Sequence, residues 1–203
     1  GNPMVVEAGA VVLATGGAGQ LYLYNVHTRE MTGDGYAMAY EAGAELVNME
    51  FIQMGPAVVH PTKMVLSGQV WRLKPRLYNS LGEEFLERYL PSGLTVEDVM
   101  EAKTFPFLTH SEGRFIDVTV YTEMLEGRRV YCDLTERGGE LQEKMPHTYR
   151  HLLNHGVDLR RTPIEVCVAA QMWQRGVRII DEWAETTVPH LYAAGEAAGG
   201  VRG

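Results

Sequence analysis

The fold is decided by the stretch Ala14-Thr15-Gly16-Gly17-Ala18-Gly19-Gln20, which follows the apolar run Ala10-Val11-Val12-Leu13. An apolar run that ends in glycines predicts a buried strand and a turn whose backbone amides can face a polar ligand. A second glycine motif, Thr32-Gly33-Asp34-Gly35, predicts the start of a helix. A similar strand-to-glycine junction returns at Leu191-Tyr192-Ala193-Ala194-Gly195-Glu196. The two junctions predict two pieces of one ligand-binding layer, with another segment inserted between them.

The composition is that of a globular protein, with 203 residues, 45% of them hydrophobic and 22% charged. This length allows one sizeable core or two modest ones. The net charge of −8 disfavours nucleic acid as a partner, because binding to phosphates requires a basic surface. The two cysteines, Cys132 and Cys167, are too far apart to define a disulfide framework or a zinc site, which fits the reducing environment of the cytoplasm.

No apolar run reaches the ~20 residues that a membrane-spanning helix needs. We therefore expect no direct membrane insertion and a cytoplasmic location, at most peripheral to a membrane complex through a partner. Both ends of the sequence predict continuation, because the chain stops within a glycine-rich turn, residues 200–203, that should lead into a helix. The expectation is an excised segment of a longer protein.

Hydrophobic periodicity predicts strands and helices along the whole chain. Helical spacing predicts helices over residues 34–46, 95–103, 115–127 and 140–154, the first with Asp34 as its N-cap. Apolar runs predict strands over residues 5–13, 47–53, 57–60, 130–134, 166–170, 176–180 and 191–194, and a strand-turn-strand unit over 76–85.

Five short motifs occur in an order that resembles the flavoprotein subunits of succinate dehydrogenase and fumarate reductase, with L-aspartate oxidase and adenylylsulfate reductase as relatives. The motifs are Ala14–Gly19, Thr32–Gly35, Glu41-Ala42-Gly43-Ala44, Met49-Glu50 and Val188–Glu196. The resemblance covers essentially the whole sequence. It implies an α+β chain in which a capping domain is inserted into an incomplete Rossmann-like α/β FAD-binding domain. The implied boundaries are 1–52 and 166–203 for the FAD-binding pieces and 53–165 for the capping, substrate-binding domain.

The resemblance also implies which residues contact FAD. Backbone amides would lie against the cofactor at Ala14, Thr15, Gly16 and Gly17, where glycine permits close approach. Asp34 would hydrogen-bond to the cofactor, and Glu196 would contact its ribityl region. In the alternative interpretation, Asp34 only caps its helix and Glu196 only ends a strand. The G-x-G-x-x-G fingerprint that binds a pyrophosphate is absent, so the chain alone is not expected to retain FAD.

The implied substrate site departs from the family in three places. Relatives carry a substrate histidine in a Met-Glu-x-x-Gln-Phe-His-Pro-Thr run, where this sequence has Gly55. His60-Pro61-Thr62 follows five residues late, either by coincidence or as a shifted substitute. The proton-transferring arginine of a family helix is replaced by Val118 or Thr119. Gln171 stands where relatives carry the histidine of an Ala-His-Tyr run that precedes a glycine pair.

His60 and Gln171 are therefore the candidate substrate-binding residues, and the catalytic residues stay unassigned. A neutral amide cannot offset the charge of a carboxylate as an imidazolium can. The three losses argue against succinate or fumarate as substrate, while hydride transfer remains available because FAD carries that chemistry.

Two further clusters admit a functional interpretation. His147, His151 and His155 fall at i, i+4 and i+8 of a predicted helix, a spacing that can bind zinc or nickel but is also compatible with an exposed polar face. The basic stretch Trp71–Arg76 could face an anionic substrate or a partner subunit, or form a solvated loop.

The sequence thus predicts part of an FAD-dependent oxidoreductase that transfers hydride between a substrate carbon and the flavin at an altered substrate site. Its partners would be a small-molecule substrate and an electron-transfer subunit. The alternatives are an electron-relay or binding flavoprotein without dicarboxylate chemistry, and a metal-binding module built on the three histidines.

Overall fold

A computed structural model describes residues 3–104 and 108–200, which form two units. The first unit takes its described residues from 1–23, 27–53 and 171–203, and the second consists of Tyr24–Val26 and Met54–Ala170. The glycine-rich end that we expected to lead into a helix, residues 201–203, lies outside the described residues.

The described residues form ten strands and six α-helices. The strands are β1 (Val11–Leu13), β2 (Leu46–Val47), β3 (Ile52–Val58), β4 (Met64–Val65), β5 (Arg76–Asn79), β6 (Val130–Asp133), β7 (Ile164–Trp173), β8 (Gly176–Arg178), β9 (Leu191–Ala193) and β10 (Ala198–Gly199). The helices are α1 (Asp34–Glu41), α2 (Gly68–Arg72), α3 (Val96–Ala102), α4 (Arg114–Leu125), α5 (Gly138–Lys144) and α6 (Pro146–Asn154). Short 3₁₀ helices cover Gly19–Leu21, Leu86–Tyr89, Thr135–Arg137 and Gly195–Ala197. None of the described helices is both long and apolar enough to span a bilayer.

Strand pairing brings the two strand-to-glycine junctions together, as the sequence predicted. β1 and β9 are parallel, with Val11 opposite Leu191 and Leu13 opposite Ala193. The turns that follow these strands therefore start side by side. A three-stranded sheet has the order β10-β8-β2, and a five-stranded sheet has the order β4-β3-β7-β6-β5.

Each unit has its own hydrophobic core. The core of the first unit is built around Tyr36, Trp173, Val177 and Leu191. The core of the second unit is larger and contains fully buried side chains such as Trp71, Phe85, Ile116 and Leu152. Because Trp71 lies in this core, the basic stretch predicted from residue 71 onward does not present its aromatic ring to a partner.

Glu123 is the buried charged centre of the second unit. Its carboxylate accepts hydrogen bonds from Asn79 Nδ2 at 2.8 Å, Tyr89 Oη at 2.8 Å and Arg128 Nη1 at 3.0 Å, and a further one from Arg88. Burial alone raises the pKa of this carboxyl, but the donors lower it more, to about 2. The four donors come from β5, the 3₁₀ helix Leu86–Tyr89 and the segment after α4, so one carboxylate connects these elements.

Several predicted elements are shorter than their sequence patterns. The strand predicted over residues 5–13 is confined to β1, and the helix predicted over 34–46 ends at Glu41. Gly43 has φ of +93°, which favours glycine and reverses the chain direction after α1. The prediction of Asp34 as N-cap is wrong, because Gly33, with φ of +87°, occupies that position and Asp34 is the first helical residue. A carboxylate in the first turn still interacts favourably with the helix dipole.

The helix predicted over residues 140–154 is in fact two helices. α5 ends at Lys144 and α6 begins at Pro146. A proline lacks the backbone N–H that would continue the first helix but is well accommodated in the first turn of a new one. The prediction failed because the amphipathic pattern continues through the break.

Candidate functional site

The glycine turn after β1 is tightly packed within the first unit. Gly16 has φ of +73°, and Gly17 is buried. A Cβ atom at Gly17 would lie 2.7 Å from Trp173 Cδ1 and 3.0 Å from Glu196 Cδ, so no larger side chain fits. This turn therefore lies directly against the segment that carries Trp173 and Glu196.

The two glycine motifs near the start of the chain also fit each other. A Cβ atom at Gly35 would lie 1.8 Å from Thr15 Oγ1, and one at Gly33 would lie 2.8 Å from Ala18 Cβ. The glycines thus let the turn approach the first turn of α1. Sequence reasoning assigned Gly33 and Gly35 only to the start of a helix and did not identify this packing role.

Glu196 is held by two elements that are distant in sequence. Its Oε1 accepts a hydrogen bond from the backbone N–H of Trp173 at 2.8 Å, and its backbone oxygen accepts one from Tyr36 Oη at 2.8 Å. Burial, followed by the negative charge of Glu196, raises the pKa of Tyr36 to about 12. Tyr36 therefore stays a neutral donor at physiological pH.

Arg175 and Trp173 form a second cluster beside this carboxylate. The Arg175 guanidinium lies 3.4 Å from the centroid of the Trp173 ring. It donates to Tyr22 Oη at 3.4 Å and to the backbone oxygen of Met49. Tyr22 and Tyr36 pack against Trp173 with ring centroids 5.7 and 6.4 Å away. Sequence reasoning missed this cluster, because its members come from segments that are far apart in the sequence.

A cavity of about 810 Å³ lies within the first unit, and Gln171, Trp173, Gly195 and Glu196 are among its lining residues. Gln171 is almost fully buried, and its Oε1 accepts a hydrogen bond from Gln53 Nε2 at 3.5 Å. The structure therefore brings two predicted site residues, Gln171 and Glu196, to one cavity. The turn at residues 14–17 and the exposed Asp34 are not part of its lining.

The remaining substrate-site positions lie in the second unit. His60 is exposed and lines a smaller cavity of about 360 Å³, together with Arg128 and Cys167. Val118 is exposed on α4, whereas Thr119 is buried and donates to the backbone oxygen of Phe115 at 2.7 Å. The hydroxyl of Thr119 is therefore engaged within its own helix.

His147, His151 and His155 are all exposed, and the first two lie on α6. His155 lies beyond the end of α6, and its Nδ1–H donates to the backbone oxygen of His151 at 2.8 Å. The rings of these two residues are 4.6 Å apart. Within residues 3–104 and 108–200, no three His, Cys, Asp or Glu side chains are grouped to hold a metal ion.

Comparison with known proteins first defines the class: the profile of the family described as an FAD binding domain matches residues 1–203. The chain is 36% identical over 213 residues to a protein of Methanothermobacter marburgensis described as a subunit of the CoM/CoB fumarate reductase, covering 100% of this chain and 36% of that protein. It is 34% identical over 201 residues to an L-aspartate oxidase of Synechocystis sp., covering 96% and 34%. A solved quinol-fumarate reductase superimposes with a TM-score of 0.71 at 29% identity, covering 93% of this chain and 34% of that one.

The chain belongs to the FAD binding domain family and, within it, to the flavoproteins of the succinate dehydrogenase and fumarate reductase type, whose cofactor is FAD. The predicted resemblance and the predicted cofactor are thereby confirmed. The chain spans about a third of the length of the relatives that it matches.

The residues of the first unit fit a hydroxyl-bearing part of this cofactor. Ala193, Ala194 and Gly195 give the cavity a wall without bulky side chains. Trp173 N–H fixes the carboxylate of Glu196, an acceptor suited to hydroxyl groups. Of the lining residues, none is a lysine or arginine, so this wall favours hydroxyls over phosphates.

Proposed function

We propose that this chain is part of an FAD-dependent oxidoreductase that transfers hydride between a substrate carbon and the flavin. The observation that carries the proposal is the pairing of β1 with β9, which places the Gly17 turn against Glu196 beside a large cavity. The family match over the whole chain supports the same conclusion. FAD, when bound, supplies the hydride chemistry.

The chain's own residues bind and orient in this proposal. Backbone amides of the turn at residues 14–17 approach the cofactor, Asp34 contributes an acceptor at the start of α1, and Glu196 accepts from ribityl hydroxyls. Gln171 offers a hydrogen bond to the substrate, in an orientation set by Gln53. We further propose that residues 53–165 act as the capping domain and that residues 1–52 and 166–203 belong to the FAD-binding domain.

The proposed substrate site differs from a dicarboxylate site because Gly55, Val118 and Gln171 lack the charges of the groups that they replace. We therefore propose a substrate other than succinate or fumarate. We also propose a cytoplasmic location and an electron-transfer subunit as a partner. Fumarate reduction is the second candidate, favoured by the 36% identity to a protein described as part of a fumarate reductase.

Two measurements test the proposal on the native protein, by which we mean the full-length protein that contains this chain. Bound FAD should be released more readily from Glu196→Gln, with about a tenfold higher dissociation constant, since a charge-assisted hydrogen bond contributes ~1.5–3 kcal/mol. Glu45→Gln is the matched control, because Glu45 is exposed and pairs with Arg178. Absence of FAD from the native protein contradicts the proposal.

The substrate is tested by anaerobic reduction and reoxidation of the bound flavin. Succinate should not bleach the flavin absorbance, and fumarate should not reoxidise the reduced protein. Rapid turnover of either compound would rule out the altered substrate site and establish the second candidate.

A further inference from the structure

Arg175 is a partly buried cation that forms no ion pair with a carboxylate of the described residues. Its side chain is half-buried, and Nε has no hydrogen-bond partner among the described residues. Its two acceptors, the backbone oxygen of Met49 and the hydroxyl of Tyr22, are neutral. Removing a charge from water without a counter-ion costs free energy, so a bound anion near Arg175 would be stabilising.

Several other arginines of this chain form ion pairs with carboxylates. Arg88 and Arg128 share the buried carboxylate of Glu123, and Arg178 pairs with Glu45 at 2.6 Å. Arg175 forms no ion pair within the part of the chain that the structure describes. Even Glu196 is engaged with the backbone of Trp173 instead.

The position of Arg175 is fixed next to the cavity of the first unit. Its guanidinium stacks on Trp173 at 3.4 Å, and Trp173 lines that cavity together with Glu196. The next residue, Gly176, is also constrained, because a Cβ atom there would lie 2.3 Å from the backbone oxygen of Ala197. The stacked ring and the packed glycine leave the charge little freedom to move away.

We propose that Arg175 is the fixed cation that compensates the negative charge gained by FAD on reduction. This inference rests on the proposed function, in which the first unit holds FAD. A hydride brings two electrons and one proton to the flavin, which leaves one additional negative charge on the reduced cofactor. Arg175 stabilises that charge electrostatically and neither gives up nor accepts a proton, since a guanidinium stays protonated.

The candidate substrate-site positions Gly55, Val118 and Gln171 carry no charge, whereas Arg175 carries one beside the cavity of the first unit. Arg175 is therefore a determinant of the flavin's reduction potential.

The experiment compares variants of the native FAD-containing protein by spectroelectrochemical titration. Arg175→Met removes the charge and should weaken binding of reduced FAD about tenfold relative to oxidised FAD. For a two-electron couple, a tenfold change corresponds to a fall in midpoint potential of ~30 mV. Arg175→Lys keeps the charge and should keep the potential, and Arg178→Met is the control for an exposed arginine nearby.

The dissociation constant for oxidised FAD separates this role from a structural one. If Arg175 only supports the Trp173 ring, then Arg175→Met and Arg175→Lys weaken both oxidation states equally and leave the potential unchanged, which overturns the proposal. Arg175→Gln provides a second neutral variant should the methionine variant fail to fold. A native protein without FAD would refute the proposed function, whereas FAD with a potential insensitive to Arg175 refutes this inference alone.

Discussion

Removal of the Glu123 charge should destabilise the second unit strongly. In Glu123→Gln, the arginines and the other two donors face a neutral amide that can accept fewer hydrogen bonds. The pKa of Glu123 is about 2, against 4.5 for an unperturbed glutamate. At ~1.36 kcal/mol per pKa unit, this difference corresponds to ~3 kcal/mol of the free energy of unfolding at neutral pH.

The pH dependence has a defined sign. Because folding lowers the pKa of Glu123, its stabilising contribution is complete above pH 4.5 and is lost as the pH falls towards 2. The difference in unfolding free energy between the parent protein and Glu123→Gln should therefore shrink across this window. Urea unfolding at several pH values, followed by tryptophan fluorescence and circular dichroism, measures it.

A matched control separates the buried carboxylate from an exposed one. Glu126 also pairs with Arg128, but its side chain is 48% exposed. Glu126→Gln should change the unfolding free energy by less than ~1 kcal/mol, as exposed ion pairs usually do. Equal effects of the two substitutions, or a constant difference between pH 7 and pH 2, would refute the reasoning.

Two further predictions concern packing and thiol reactivity. Gly17→Ala should lower the free energy of unfolding by ~1–3 kcal/mol, measured by thermal unfolding, because its Cβ would overlap Trp173. Gly139→Ala, in α5 with no atom within 4 Å of the added carbon, should not be destabilised. Burial, with a smaller effect of neighbouring carboxylates, raises the pKa of Cys132 to about 12 and of Cys167 to about 11. Neither thiol should react with Ellman's reagent at pH 8 until urea unfolds the protein, and stoichiometric labelling of the native protein would contradict this.

Local sequence patterns correctly predicted the helices that are determined by the spacing and capping of neighbouring residues. The helix expected over residues 115–127 is α4, Arg114–Leu125, and the helix expected over 95–103 is α3, Val96–Ala102. At the start of α3, the Thr95 side chain accepts a hydrogen bond from the backbone N–H of Asp98, and the Asp98 side chain accepts one from the backbone N–H of Thr95. This capping box can be recognised from four consecutive residues of the sequence. The strand predicted before the first glycine turn was too long, because residues 5–10 are mostly apolar but do not pair with a described strand.

The contacts that build the candidate site could not be predicted in the same way. Gly17 meets Trp173, and Tyr36 meets Glu196, across more than 150 residues of sequence. Such approaches depend on tertiary packing that no window of the sequence contains. The resemblance to a family supplied Glu196 but not Arg175, because Arg175 lies outside the motifs on which the resemblance rests.

The pairing of β1 with β9 also sets the order in which the protein can mature during its synthesis. Val11 and Leu191 lie opposite each other although they are about 180 residues apart. At ~5–20 residues per second, β1 waits roughly 10 to 40 s for its partner to leave the ribosome. The second unit needs only residues up to Ala170 and can consolidate earlier. During that interval the backbone N–H and C=O groups of β1 have no strand to pair with, and this unpaired edge persists until β9 has been synthesised.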